Sequence, residues 1–268
     1  MTEARRQESV EYQPGTFCWV ELGTSNAEGA KSFYSKLFDW TYTDNQMGPD
    51  MVYTMLKFND KDVGGLFQLM PDMVAQGIPP HWLSYISVRS ADEGVEKIKS
   101  EGGTVLNGPF DVSNIGRMAV VKDPTGAVFA LWQSGTHPGS GIYNVPNTFA
   151  WNELGTHDTK RAGEFYSKVL GWNRDVKQFG PMEYTLFKNG GRDAGGMYQI
   201  TPEMGNLPSH WLVYFAVDDC DAKVQKATAL GASVMKPAAD IPGVGRFAIL
   251  IDPQGAAFAI IKLNNVPQ

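Results

Sequence analysis

The chain has 268 residues, a net charge of −6 at pH 7, and a composition of 43% hydrophobic, 12% aromatic and 19% charged residues. That balance is globular and long enough for two domains, and it excludes a chain built to attract nucleic acid, which needs a basic surface. No apolar run reaches membrane-spanning length, and the opening "MTEARRQESVEYQ" has no signal-peptide pattern, so no membrane partner and a cytoplasmic location are expected. The two cysteines, Cys18 and Cys220, fall at non-equivalent places, which argues against a disulfide framework.

In chain order, an alternating strand runs from Phe17 to Leu22, and the polar Ser25-Asn26 turn is suited to capping a helix. Ala30, Phe33, Tyr34, Leu37 and Phe38 then recur as one face of an amphipathic helix. After Trp40 come the strands "MVYTMLKF" and "VGGLFQLM", with a hairpin pattern in "NDKDVGG" between them. From "PPHWLSYISV" the order restarts: strand, the turn "RSAD", a helix carrying Val95 and Ile98, a Gly102-Gly103 stop, then "TVLNGPFDV", "RMAVVK" and "AVFALWQ".

The second half repeats the first. "TFCWVELGTS" matches "TFAWNELGTH", "FYSKLFDW" matches "FYSKVLGW", and "GGLFQLMP" matches "GGMYQITP". "PHWLSYISV" matches "SHWLVYFAV", and "GRMAVVKDPTGAVFAL" matches "GRFAILIDPQGAAFAI". The expected organisation is therefore a polar tail (1–14), one domain (15–135), a Gly/Pro/Ser-rich linker (136–146) and a homologous domain (147–263). Each domain divides into two modules of strand, helix and two or three strands. One module alone exposes an apolar sheet face, so modules must close in pairs.

Four βαβββ modules with "FY" on the first helix and "DP.G" before the last strand resemble the vicinal oxygen chelate superfamily, which includes glyoxalase I, bleomycin-resistance proteins and extradiol dioxygenases. The resemblance implies an α+β fold whose paired modules form two cup-shaped half-barrels, and in its enzymes a divalent metal at each cup floor. Carried onto this chain, the metal-ligand positions fall at Trp19, Leu83 and Ala130 in the first copy and Trp151, Leu212 and Ala259 in the second. None of these side chains binds a metal. No cofactor is expected, and a divalent metal is the alternative if the matching is off by two residues.

If the ligand positions carried over from the resemblance, Trp19 and Leu83, are floor positions, a strand period of two places their neighbours on the cup faces. The first cup is then lined by Trp19, Glu21, His81, Leu83, Tyr85 and Trp132, with Gln68 a further candidate. The second is lined by Trp151, Glu153, His210, Leu212, Tyr214 and Ile261, with Gln199 likewise. Cys18, Val20 and Leu22 should face the core, and Trp82 and Trp211 should serve packing. Glu21 with His81, and Glu153 with His210, are candidate acid/base pairs. The bland alternative has each Glu bonding a backbone amide at the module junction and each His capping the preceding proline turn. Arg117 and Arg246 are expected to pair with acids such as Asp123 and Asp252, and the loops at 44–51 and 71–80 suit a lid. Two functions follow as expectations: a glyoxalase/bleomycin-resistance-like protein that binds a small organic molecule in an aromatic cup, or a glyoxalase-like lyase or isomerase of a small carbonyl compound. A small-molecule partner and a monomer or homodimer accompany both.

Overall fold

The computed structural model describes residues 10–49, 51–179 and 182–264. The first module is β1 (Phe17–Thr24), α1 (Ala27–Phe38), β2 (Thr41–Gln46), β3 (Val52–Phe58) and β4 (Lys61–Gln68). A short helix, α2 (Pro71–Ala75), leads into the second: β5 (His81–Ser87), α3 (Ala91–Ser100), β6 (Thr104–Val112), β7 (Gly116–Lys122) and β8 (Val128–Ser134). The third holds β9 (Phe149–Thr156), α4 (Thr159–Leu170), β10 (Asn173–Phe179), β11 (Met182–Asn189) and β12 (Arg192–Gln199). The fourth holds β13 (His210–Ala216), α5 (Cys220–Ala229), β14 (Ser233–Ile241), β15 (Gly245–Ile251) and β16 (Ala257–Leu263).

Each half folds as one eight-stranded sheet, in the orders β2-β3-β4-β1-β5-β8-β7-β6 and β10-β11-β12-β9-β13-β16-β15-β14. The two modules of a half meet where their opening strands pair antiparallel, β1 with β5 and β9 with β13. Strand β2 escaped the sequence reading because all six of its residues are exposed, which leaves no alternation to detect. Helix α2, in a segment read as a loop, buries nothing.

The helices start and stop where local chemistry dictates. Asn26 accepts from the Gly29 amide at 3.0 Å, and Ser90, Asp158 and Asp219 cap their helices in the same way. Helix α1 ends on Asp39 at φ 58° and α4 on Gly171 at φ 73°, a left-handed position at which glycine is the unstrained choice.

One apolar core runs between the two sheets and draws on both halves, with Phe33, Tyr34, Phe38 and Trp82 from the first and Tyr166, Trp172, Trp211 and Phe215 from the second. The repeated motifs converge there. Trp82 Nε1 donates to Tyr34 Oη at 2.9 Å, and Tyr34 Oη donates to Asp252 Oδ2 of the other half at 2.9 Å. The mirror chain runs from Trp211 Nε1 to Tyr166 Oη at 2.8 Å and on to Asp123 Oδ2 at 2.9 Å. The "HW" tryptophan, the "FY" tyrosine and the "DP.G" aspartate therefore form two reciprocal latches. This corrects the expected partners of the arginines: Arg117 binds Asp92 and Asp111, and Arg246 binds Asp221 and Asp240.

The face assignment of β1 needs a correction. A bulge in β1 shifts the register between Phe17 and Trp19. Phe17 consequently enters the shared core against Trp172 and Trp211, while Cys18, expected in the core, packs with Trp19 and Tyr85 on the cup side.

Candidate functional site

In the first sheet Trp19 lies opposite Tyr85, Glu21 opposite Leu83 and Gly23 opposite His81, with Ala130 beside Tyr85. In the second, Trp151 lies opposite Tyr214, Glu153 opposite Leu212 and Gly155 opposite His210, with Ala259 beside Tyr214. These alternate residues form clusters separate from the shared core, on the sheet faces turned away from the helices.

A half-buried glutamate sits in each cup. Tyr85 Oη donates to Glu21 Oε1 at 2.8 Å, and the Tyr53 hydroxyl is its second partner. In the second cup Tyr184 Oη donates to Glu153 Oε1 at 2.8 Å and Tyr214 Oη to Oε2 at 2.6 Å. The ligand-position tryptophans complete the networks, since Trp19 Nε1 donates to Tyr53 Oη and Trp151 Nε1 to Tyr184 Oη, both at 3.1 Å. Burial pushes both carboxyls above the usual carboxylate range, against the pull of the tyrosine hydroxyls and, at Glu153, of Lys236. The tyrosines are pushed well above theirs, chiefly by burial and by the neighbouring carboxylate, so they remain donors.

A raised carboxyl pKa stabilises the fold below its unfolded value, near pH 4, and that contribution is lost as pH rises through the folded value. Relative to the native chain, Glu153→Gln is therefore expected to become progressively more stable as pH rises from 4 to 8. Urea unfolding at each pH checks this, and a difference independent of pH would sink it.

Tyr53 and Tyr184 were missed by sequence reasoning, although the "GG" of β4 and β12 carries their signal. A Cβ on Gly65 would stand 1.9 Å from Tyr53 Oη, and one on Gly196 would stand 1.8 Å from Tyr184 Oη. Glycine is needed there so that a tyrosine from the adjacent strand can cross to the glutamate. Gln68 and Gln199, expected in the cups, point to the helix side. Gln68 Oε1 accepts from the Ala27 amide at 2.9 Å, and its Nε2 donates to the Ser25 carbonyl at 2.7 Å, holding the start of α1. Gln199 spans Thr159 and His157 in the same manner. Parity instead gives the cup positions to Phe67 and Tyr198.

The histidines do not join their glutamates. Nδ1 of His81 meets the Pro79 carbonyl at 2.8 Å, and Nδ1 of His210 meets that of Pro208 at 2.8 Å. Glu153 and His210 lie two positions apart along paired strands, a separation of about 7 Å. The histidines thus cap their proline turns, whereas, among the described residues, each glutamate accepts from tyrosine hydroxyls and not from a backbone amide of the module junction.

Among the described residues the two cups differ in what covers them. The first is roofed by its own chain: the His137 ring packs edge-on over Trp19 at 4.8 Å, and Trp132 Nε1 donates to the His137 carbonyl at 2.9 Å. Tyr12, expected in a polar tail, is buried there, and its hydroxyl donates to the Ser140 carbonyl at 2.9 Å. Residues 1–9 of that expected tail lie outside the described residues. In the second cup Trp151 is only partly buried, and among the described residues no aromatic ring packs on it. Matching positions show the same trend: Trp132 becomes Ile261 and Phe110 becomes Ala239, while Asn107 becomes Lys236.

Among the described residues no three His, Cys, Asp or Glu side chains come together as a metal site would require. With each cup glutamate accepting from two tyrosines and both imidazoles held by prolyl carbonyls, the donors present do not fit a divalent cation. A recess of about 550 Å³ lies elsewhere, on α3 around Asp92, Glu96 and Lys99.

Two family models cover the two halves. Residues 16–131 match the Glyoxalase/Bleomycin resistance protein/Dioxygenase superfamily, and residues 151–261 match the Glyoxalase-like domain. The chain belongs to the glyoxalase/bleomycin resistance/dioxygenase superfamily, in its duplicated two-domain form. It is 42% identical over 254 residues to the "Putative glyoxylase CFP32" of Mycobacterium tuberculosis, a match covering 94% of this chain and 96% of that one. It is also 33% identical over 263 residues to the anthracycline biosynthesis protein DnrV of Streptomyces peucetius, covering 94% and 95% of the two chains. Among solved structures, the Mn(II)-bound glyoxalase from Novosphingobium aromaticivorans superposes with a TM-score of 0.65 at 12% identity, covering 95% of this chain and 86% of that one. The 2,3-dioxygenase LapB from Pseudomonas sp. KL28 gives the same score at 12% identity, covering 97% and 96%. At these identities the structures show a shared vicinal oxygen chelate fold.

Proposed function

We propose that this superfamily member binds a small organic molecule in its second cup. Trp151, Tyr214 and Phe247 would serve as walls and the Glu153–Tyr184–Tyr214 cluster as the polar floor, with no metal at the usual ligand positions. The observation that carries this reading is the asymmetry of two cups with the same polar floor, one roofed by His137 and Tyr12 and the other with Trp151 partly exposed. An apolar concavity with a few convergent polar groups is the usual form of a small-molecule site. The first cup, on this reading, is a structural copy filled by the chain itself. A cytoplasmic location and a monomer or homodimer belong to the same proposal.

Equilibrium dialysis against a panel of small aromatic compounds is expected to find saturable binding of one molecule per chain. Leu212→Arg at the floor and Ala239→Phe near the mouth, which restores the first cup's residue, should each abolish or sharply weaken it. Two molecules bound per chain, or binding indifferent to both substitutions, would overturn the assignment to the second cup.

One observation favours a second reading, a glyoxalase-like lyase or isomerase. Glu153 is a half-buried carboxyl raised above its usual range by desolvation, the condition that suits a general base. In this reading Glu153 takes the proton, while His210 acts from across the substrate because it does not touch the glutamate. Turnover of any small carbonyl compound that survives Glu153→Gln would sink this reading.

A further inference from the structure

We infer that the second cup selects planar aromatic acids, with the ring held among Trp151, Tyr214 and Phe247 and the anionic group paired with Lys236. This rests on the second cup being the ligand site.

The duplicated halves supply the comparison. Lys236 of β14 is paired with Ile249, as Asn107 of β6 is paired with Val120, so the two occupy the same place in their cups. The cup-facing parity of Lys236 is supported by its ammonium, which stands 5.3 Å from the Phe247 ring centroid, and Tyr214 packs on the same ring at 6.2 Å between centroids. Three other lysines of the two sheets are neutralised, Lys57 by Asp62, Lys177 by Asp175 and Lys188 by Asp193, whereas Lys61, Lys122 and Lys262 have no ion pair among the described residues. Lys236 is exposed and, among the described residues, has no carboxylate within ion-pair distance. Its charge acts on Glu153, which already accepts from two tyrosines.

A cation left over an aromatic wall, in a chain of net charge −6, is a local reversal of the protein's field. On the same strand Ala239 replaces the first cup's Phe110, and its cross-strand partner Met118 becomes Phe247, which moves the aromatic wall onto the strand opposite the lysine. The chemistry that uses all of these features is a flat ring for the aromatic faces and an anion for the ammonium. A purely apolar ligand would leave the lysine unused, and a cationic one would be repelled by it.

Isothermal titration of the full-length protein with 2-naphthoate and its neutral isostere 2-naphthamide tests the inference. The carboxylate is expected to bind more tightly by on the order of tenfold, as for a hydrogen bond to a charged group, and its advantage should shrink as salt screens the pair. Lys236→Asn, which installs the first cup's residue, should erase the advantage while leaving the amide's affinity unchanged, and Lys236→Arg should keep it. Equal binding of both compounds, unaffected by Lys236→Asn but lost in Ala239→Phe, would overturn the acid selectivity and leave the cup as the site. No saturable binding of either compound, or binding indifferent to Ala239→Phe, would overturn the cup reading and this inference with it.

Discussion

Asp123→Ala and Asp252→Ala are each expected to destabilise the protein by about 3–5 kcal/mol, the cost of breaking a buried hydrogen-bonded charge network. Both carboxylates are almost wholly buried, at 2% and 3% exposure. Oδ1 of Asp252 accepts from the amides of Gln254, Gly255 and Ala256, and Oδ1 of Asp123 does the same for its own turn. The other oxygen takes a tyrosine hydroxyl from the opposite half. Alanine therefore removes a turn and an inter-half latch together, and it leaves the tyrosine hydroxyl and three amides short of a partner. At about 2–4 °C per kcal/mol for a chain approaching this size, the melting temperature should fall by roughly 10 °C. Tyr34→Phe or Tyr166→Phe, which removes only the latch, should cost about 1–2 kcal/mol. If the aspartate variants lost no more than the tyrosine variants in urea unfolding, the turn amides would not be held by the carboxylate as the structure has them.

Gly196→Ala is expected to destabilise by about 1–3 kcal/mol, as overpacking of a filled interior does, and to abolish binding in the second cup. The new methyl would overlap the Tyr184 hydroxyl at 1.8 Å and its ring at 2.4 Å. The tyrosine must then leave, which strips Glu153 Oε1 and Trp151 Nε1 of their shared partner. Gly65→Ala makes the matching change at Tyr53 and should cost a similar amount in stability. It should leave ligand affinity intact, because it disturbs the roofed cup. Ligand titration and thermal unfolding of the two variants separate these outcomes. Equal loss of binding in both would contradict the division of labour between the cups.

How much of this was legible in the sequence differs by element. The duplication, the four modules and the cup positions of Trp19, Glu21 and Tyr85 with their second-copy partners follow from repeats and a strand period of two. Strand β2 was illegible because an exposed edge strand carries no alternation. The glutamines were misplaced by one parity step, since nothing in "GGLFQLM" states which residue faces which way until Gly65 is known to pass beneath Tyr53.

The duplicated modules were legible from the repeats. Once the family resemblance set Trp19 and Leu83 as floor positions, strand parity put Glu21 and Tyr85 beside them, since side-chain direction along a strand follows from backbone geometry. What only the tertiary structure decided is who meets whom across long stretches of chain. Asp252 reaches Tyr34, Tyr53 and Tyr85 converge on Glu21, and His137 leaves the linker to roof Trp19. These contacts depend on how the sheets curve and how the halves dock, and that is set by burying one shared apolar core rather than by any local spacing. The same physics made two nearly identical cups unequal: a single chain has one linker between its halves, and here it packs over the first.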